Sequence, residues 1–191
     1  MSDRTELWLV RHGQTEWSST AKHTGRADIP LTDTGRANAR RLAPWLAQHH
    51  FDRVWSSTLS RARETAQLAG FEPDEYLEDL CEWDYGKYEG LSTDEIRRNE
   101  PDFSTWTTPM SGGESLQQVG ERVDLELQRA LELGGRSLLF AHAHLLRIHA
   151  ARWVGLEPSG GRLLALAAAS VSVLGFEHET RVIQVWNMTY S

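Results

Sequence analysis

The sequence predicts an α/β protein: a three-layer sandwich with a mostly parallel central sheet, helices on both faces and one antiparallel strand. Three observations carry this. Short apolar runs alternate with helix-period stretches along the chain. Two of those runs, Leu7-Trp8-Leu9-Val10 and Leu138-Leu139-Phe140-Ala141, end abruptly, as buried parallel strands do. The chain then closes on two β-rich runs, Ser170 to Phe176 and Arg181 to Trp186, near enough to pair as a hairpin around His178. No linker or repeat divides the 191 residues, so residues 1–191 are expected to form one domain.

The first strand spans about Leu7 to Val10. From Gln14 to Leu31 the chain lacks a period and reads as a long ordered loop, with Trp17 and Ile29 to bury. Thr32 caps a helix whose apolar face holds Ala37, Leu42, Trp45 and Leu46, and Pro44 predicts a kink or break within it. Val54-Trp55 is a short strand. Ser56-Ser57-Thr58 caps the next helix, Leu59 to Ala69. Ser92-Thr93-Asp94-Glu95 fits a capping box opening a helix to about Asn99. An amphipathic helix runs from Leu116 to Leu133 and ends at Gly134-Gly135. The strand to Ala141 follows, then a helix through Trp153, stopped by Gly155.

Both apolar runs deliver a histidine. The first leads into Arg11-His12-Gly13 and the second into His142-Ala143-His144. Ligands of open α/β sheets sit beyond the carboxyl ends of the strands. If the two strands are parallel neighbours, about 4.8 Å apart, His12 and His142 share a pocket. A neutral His12 can act as a nucleophile, and Arg11 offers a planar donor fork to phosphate oxygens, with Gly13 read as letting the backbone approach the ligand. Arg61 falls in the first turn of a helix, where an anion is already favoured and a cation is not. Glu82, in Cys81-Glu82-Trp83-Asp84-Tyr85-Gly86, is flanked by aromatic residues that suit a proton donor to a leaving oxygen. A protonated His142 would stabilise charge on a transferring phosphoryl group. The grouping of His142, His144 and His149 hints at a metal, but no carboxylate or cysteine stands at ligand spacing.

Charge and composition narrow the partners. A net charge of −7 and a pI near 5.6 argue against general nucleic-acid binding, so any anion site is a local concentration of cations. One cysteine, Cys81, excludes an internal disulfide framework. The longest apolar run, Leu163 to Val171, is half a membrane span, and no signal-peptide segment precedes Arg11. A cytoplasmic protein with no membrane partner is expected. An uncovered sheet edge would support a homodimer.

The pieces together resemble a known family. Arg11-His12-Gly13-Gln14-Thr15-Glu16-Trp17, His23 to Thr32, Ser56-Ser57 to Arg61-Ala62, Glu82 to Gly90, Gly112-Gly113-Glu114-Ser115 and Phe140-Ala141-His142 resemble, in order, the histidine phosphatase superfamily with its phosphoglycerate mutase-like fold. The resemblance implies that His12 accepts the phosphoryl group as a phosphohistidine. It implies that Arg11, Arg61 and His142 form the phosphate pocket, and that Glu82 protonates the leaving oxygen and then activates water. Ser18, Thr24, Gly25, Tyr85, Ala143 and His144 match substrate-contacting positions, and the family needs no metal or cofactor. Ser18 and Ala143 depart from its common Asn and Gly.

Within the family, mutases carry a basic insertion after the Glu motif. Here Ser92 to Gly113 is short, with only Arg97 and Arg98 as cations, both expected on a solvated helix face. A phosphatase of a small-molecule phosphate ester is therefore expected, with a cofactor-dependent phosphoglycerate mutase as the alternative and a non-catalytic phospho-ligand binder behind it. The passages around His12, Glu82 and His142 look most like sedoheptulose bisphosphatase-type and small bacterial acid phosphatases. For a bisphosphate, Lys22, His23, Arg26 and His144 are the candidate second anion site.

Overall fold

The computed structural model describes residues 5–190 and has six strands in one sheet, ordered β3-β2-β4-β1-β5-β6. The strands are β1 (Glu6–Arg11), β2 (Arg53–Ser57), β3 (Glu75–Leu77), β4 (Arg136–Ala141), β5 (Val171–Glu177) and β6 (Thr180–Met188). β1, β2, β3 and β4 are parallel, while β5 pairs antiparallel with both β1 and β6, so β5 is the one strand that runs against the rest. The helices are α1 (Glu16–Ser19), α2 (Asp33–Leu46), α3 (Ser60–Leu68), α4 (Thr93–Arg97), α5 (Leu116–Leu133) and α6 (Ala143–Trp153).

The alternation of side chains along the strands divides the core into two layers. Leu7, Leu9, Trp55 and Leu139 pack with α5 and α6 on one face. Trp8, Val10, Val54, Leu138 and Phe140 pack with α2 and α3 on the other. On α2 the buried residues are Gly35, Ala39, Leu42 and Leu46, with Trp45 packed partly buried against the same layer; of the expected face only Ala37 is exposed. Pro44 does not break the helix. It occupies the last turn, and the helix continues past it to the bond from the Ala47 N–H to the Ala43 carbonyl, so the missing N–H removes one bond without ending the helix. No described helix is long and apolar enough to cross a membrane.

Register decides where the chemistry sits. Arg11 pairs with Ala141 across β1 and β4, and the His12 N–H donates to the Ala141 carbonyl at 3.0 Å. His12 and His142 thus leave the sheet side by side, with ring centroids 5.1 Å apart.

Candidate active site

A cleft of about 460 Å³ opens beyond these strand ends. His12 lines it with 4% of its surface exposed. Its Nδ1 lies 2.7 Å from the Gly13 carbonyl, which can only accept, so the proton sits on Nδ1 and Nε2 keeps its lone pair. Burial and the charges of Arg61 and Arg11 push the His12 pKa well below the ordinary histidine value. The ring is neutral in a cationic setting, and its free Nε2 is chemically able to act as a nucleophile.

Gly13 is required by packing within the chain itself. A Cβ on it would meet the Gly35 carbonyl oxygen of α2 at 2.6 Å, and one on Gly35 would meet the Gln14 oxygen at 2.1 Å. The two glycines let the loop after β1 lie backbone-to-backbone on the first turn of α2, which fixes the exit direction of His12.

Arg61 and His142 are fully buried behind His12 and are not part of the cleft wall. Four of the five N–H groups of Arg61 are committed. Nη1 donates to the Ala27 carbonyl (2.8 Å), Nη2 to those of Gly25 (2.9 Å) and Thr24 (3.3 Å), and Nε to His142 Nδ1 (3.2 Å). Because Arg61 can only donate, His142 carries its proton on Nε2, which lies 2.8 Å from Ser57 Oγ. Burial, Arg61 and His12 also hold its pKa well below the usual histidine range. The expected imidazolium is instead a neutral ring with both nitrogens engaged, and the positive charge resides on Arg61. Nor does an incoming anion explain a cation in the first turn of α3. Asp28 already accepts from the Ser60 N–H and hydroxyl there, both at 2.8 Å.

Glu82 lines the cleft and is 4% exposed, whereas its acidic neighbours Glu78 and Asp79 are exposed. Oε1 accepts from the Trp83 and Leu145 N–H groups at 3.0 and 2.9 Å, which uses both of its lone pairs. Oε2 accepts from the His144 N–H at 3.0 Å and keeps one. The N-terminus of α6 therefore binds this carboxylate, and one oxygen remains for a proton.

Arg11 lines the cleft beside them. Its Nη1 donates to the Leu166 carbonyl, while its Nε is buried without a partner. Such an orphaned donor costs about 1–3 kcal/mol, and it is a group suited to a phosphoryl oxygen.

Residues 7–189 match the histidine phosphatase superfamily, branch 1. The chain belongs to that superfamily. It is 42% identical over 187 residues to an acid phosphatase of Mycobacterium tuberculosis, with 96% of this chain and 92% of the relative covered. It is 35% identical to the sedoheptulose 1,7-bisphosphatase of Saccharomyces cerevisiae over 182 residues, 78% of this chain and 67% of that one. Among solved structures, a protein from an open reading frame of Mycobacterium tuberculosis superposes with a TM-score of 0.93 at 40% identity, covering 97% of this chain and 98% of the other. A mycobacterial glucosyl-3-phosphoglycerate phosphatase, solved in complex with VO3, gives 0.84 at 26% identity, with coverages of 97% and 100%. The protein is a histidine phosphatase.

Of the other expected contacts, Ser18, Thr24, Ala143 and His144 line the phosphatase cleft, whereas Gly25 and Tyr85 lie behind it. The Ser18 hydroxyl is engaged in the cap of α1, accepting from the Thr15 N–H at 2.9 Å. A Cβ on Gly25 would meet the Trp83 carbonyl oxygen at 2.5 Å, so this glycine packs the loop against the segment carrying Glu82. Tyr85 holds His144 through a 2.7 Å contact between its hydroxyl and Nδ1. Lys22 and His23 also line the cleft, but Arg26 turns away to Glu78 and Glu114, at 3.6 Å from each. His149 is no metal ligand candidate with His142 and His144: its Nδ1 and Nε2 face the Leu145 carbonyl and Glu126.

Sequence reasoning missed two clamps and two arginines. Glu89 accepts from the Gly25, Arg26 and Ala27 N–H groups at 2.9, 3.3 and 2.7 Å, closing from the other side the loop that Arg61 holds. Glu114 accepts from the Asp84 N–H and from Arg122, whose Nη1 reaches the Asp79 and Cys81 carbonyls and steadies the approach to Glu82. Both glutamates lie in the motifs already singled out, so the signal was present but assigned no task. Arg97 and Arg147 line the cleft; Arg97 is exposed, as expected, and stands on the solvated face of α4 where that face meets the cleft.

Proposed function

We propose that this phosphatase hydrolyses small phosphorylated metabolites through a phosphohistidine on His12, with Glu82 moving the proton. The observation that carries the proposal is the pairing, in one cleft, of an imidazole with its lone pair on Nε2 and a carboxylate with one vacant lone pair on Oε2. In the first step His12 Nε2 forms a bond to phosphorus as the ester P–O bond breaks, and a proton carried on Glu82 Oε2 passes to the leaving oxygen. In the second, Glu82 takes a proton from water as that water attacks phosphorus. The P–N bond breaks, its electron pair returns to Nε2, and inorganic phosphate leaves. Arg11 supplies the cation at the cleft wall. Arg61 acts from behind, orienting the loop and helping burial keep His12 neutral, and His142 accepts from Arg61 Nε and holds that guanidinium in place.

Inorganic phosphate release from sugar mono- and bisphosphates, 3-phosphoglycerate and an aryl phosphate tests this, with His12→Ala as the blank. Wild-type release on several esters, with His12→Ala at background and its circular dichroism unchanged, is expected. Turnover within tenfold of wild type in His12→Ala would overturn it.

A further inference from the structure

The free lone pair of His12 depends on the Gly13 carbonyl, and a glycine has little conformational preference of its own. What keeps that carbonyl in place lies outside the cleft. The peptide joining His12 to Gly13 is pinned at both ends. Its carbonyl accepts from the Ala169 N–H at 3.1 Å, and its N–H donates to Thr65 Oγ1 at 3.0 Å. Ala169 reaches it with φ at 51°, in the left-handed region that a side chain disfavours. Thr65 reaches it from α3, and of the two only Thr65 uses a side chain.

Packing alone does not call for a threonine there. Thr65 is fully buried on the same helix as Ala62 and Ala66, and a buried hydroxyl is costly unless it is bonded. A valine would fill the same space without that cost. The Thr65 hydroxyl donates its proton to the Arg61 carbonyl, one turn earlier, at 2.6 Å. With its only proton committed, Oγ1 meets the Gly13 N–H purely as an acceptor. One hydroxyl thus joins the loop carrying His12 to the backbone of the arginine that holds Ala27 and Gly25.

We propose that Thr65 is a positioning residue for the reaction: its hydroxyl pins Gly13, so that the Gly13 carbonyl holds the His12 proton on Nδ1 and leaves Nε2 free for phosphorus. This rests on the reading of His12 as the phosphoryl acceptor. Thr65 itself does not line the cleft. Without the hydroxyl the buried Gly13 N–H has no acceptor, a state that a peptide relieves by turning. The Gly13 carbonyl then leaves Nδ1, and the ring can carry its proton on Nε2, where it blocks attack.

NMR of protein labelled with 15N in its histidine rings reads the tautomer, with His12→Ala assigning the signals. In the wild type the His12 proton is expected on Nδ1. Thr65→Val should move a sizeable part of the His12 signal to the Nε2–H form. It should also lower kcat on an aryl phosphate by about tenfold, the worth of one hydrogen bond, with KM nearly unchanged. Thr65→Ser keeps the hydroxyl and should restore both. A wild-type proton on Nε2, or a Thr65→Val protein with wild-type tautomer and kcat, overturns the proposal. Thr65→Ser as impaired as Thr65→Val would assign the defect to packing and overturn it too. Should Thr65→Val fail to fold, the wild-type Gly13 amide decides: slow hydrogen exchange is expected, and exchange at the rate of an open loop overturns the pin. Failure of the phosphohistidine reading shows separately, as phosphate release from the His12→Ala protein.

Discussion

His12 owes its lone pair to one backbone carbonyl. Because Gly13 fixes the proton on Nδ1, and burial and two arginines lower the pKa well below the ordinary histidine value, the ring stays neutral where a free imidazole would be protonated. The acidic limb of kcat/KM that reports His12 protonation is therefore expected below pH 6.5; a half-fall at 6.5 or above would contradict the assigned environment. Glu82→Gln keeps an acceptor for the backbone donors but cannot deliver the proton. It should slow hydrolysis of alkyl phosphates by about 10²–10⁴-fold and of activated aryl phosphates far less, and equal losses would remove Glu82 from the acid role. His12, Glu82 and Arg11 were legible because each follows or borders a short apolar run or an aromatic pair. Arg61 was legible as a position and not as a task, since sequence does not show that its donors end on the carbonyls of Thr24, Gly25 and Ala27.

The 24–27 loop is an element without secondary structure, held between Arg61 on one side and Glu89 on the other. Glu89→Ala removes acceptors from three backbone N–H groups. It should destabilise the fold by roughly 1–3 kcal/mol in denaturant titration and lower kcat/KM for every ester, whatever its second charge. A variant with unchanged stability and turnover would show that Arg61 alone suffices. Gly35→Ala tests the other contact, between α2 and the loop that carries His12. A Cβ only 2.1 Å from the Gln14 oxygen must displace that backbone, so a melting temperature equal to wild type would contradict the packing. Both histidine-bearing strands and the helices other than α1, which lies within the stretch expected to be a loop, could be read from period and caps. β3 could not: Glu75-Tyr76-Leu77 is three residues long, with two of them exposed, and carries no apolar run. The packing role of Gly13 was hidden for a similar reason, as its partner is another segment's backbone, invisible to local pattern.

Across the whole molecule, buried neutral histidines make stability depend on pH. His12, His23, His142 and His144 all have lowered pKa values, with burial as the largest cause. Their unfolded forms bind protons near pH 6.5 while the folded forms do not, so stability is full above that value and is lost as pH falls below it. Thermal unfolding between pH 8 and 5 should show the melting temperature dropping below about pH 6.5; a flat profile would mean that these rings take up protons as readily in the fold as in the unfolded chain. The same burial separates an acidic exterior from a cationic cleft, a contrast that net charge implied but could not locate. The central claim is the covalent intermediate. Rapid acid-free quenching of enzyme with a 32P-labelled ester, followed by peptide mapping, is the most direct measurement. A label on His12 that survives alkali, is lost in acid and is missing from His12→Ala is the predicted result. Wild-type turnover with no such label, or a label retained in His12→Ala, would contradict it.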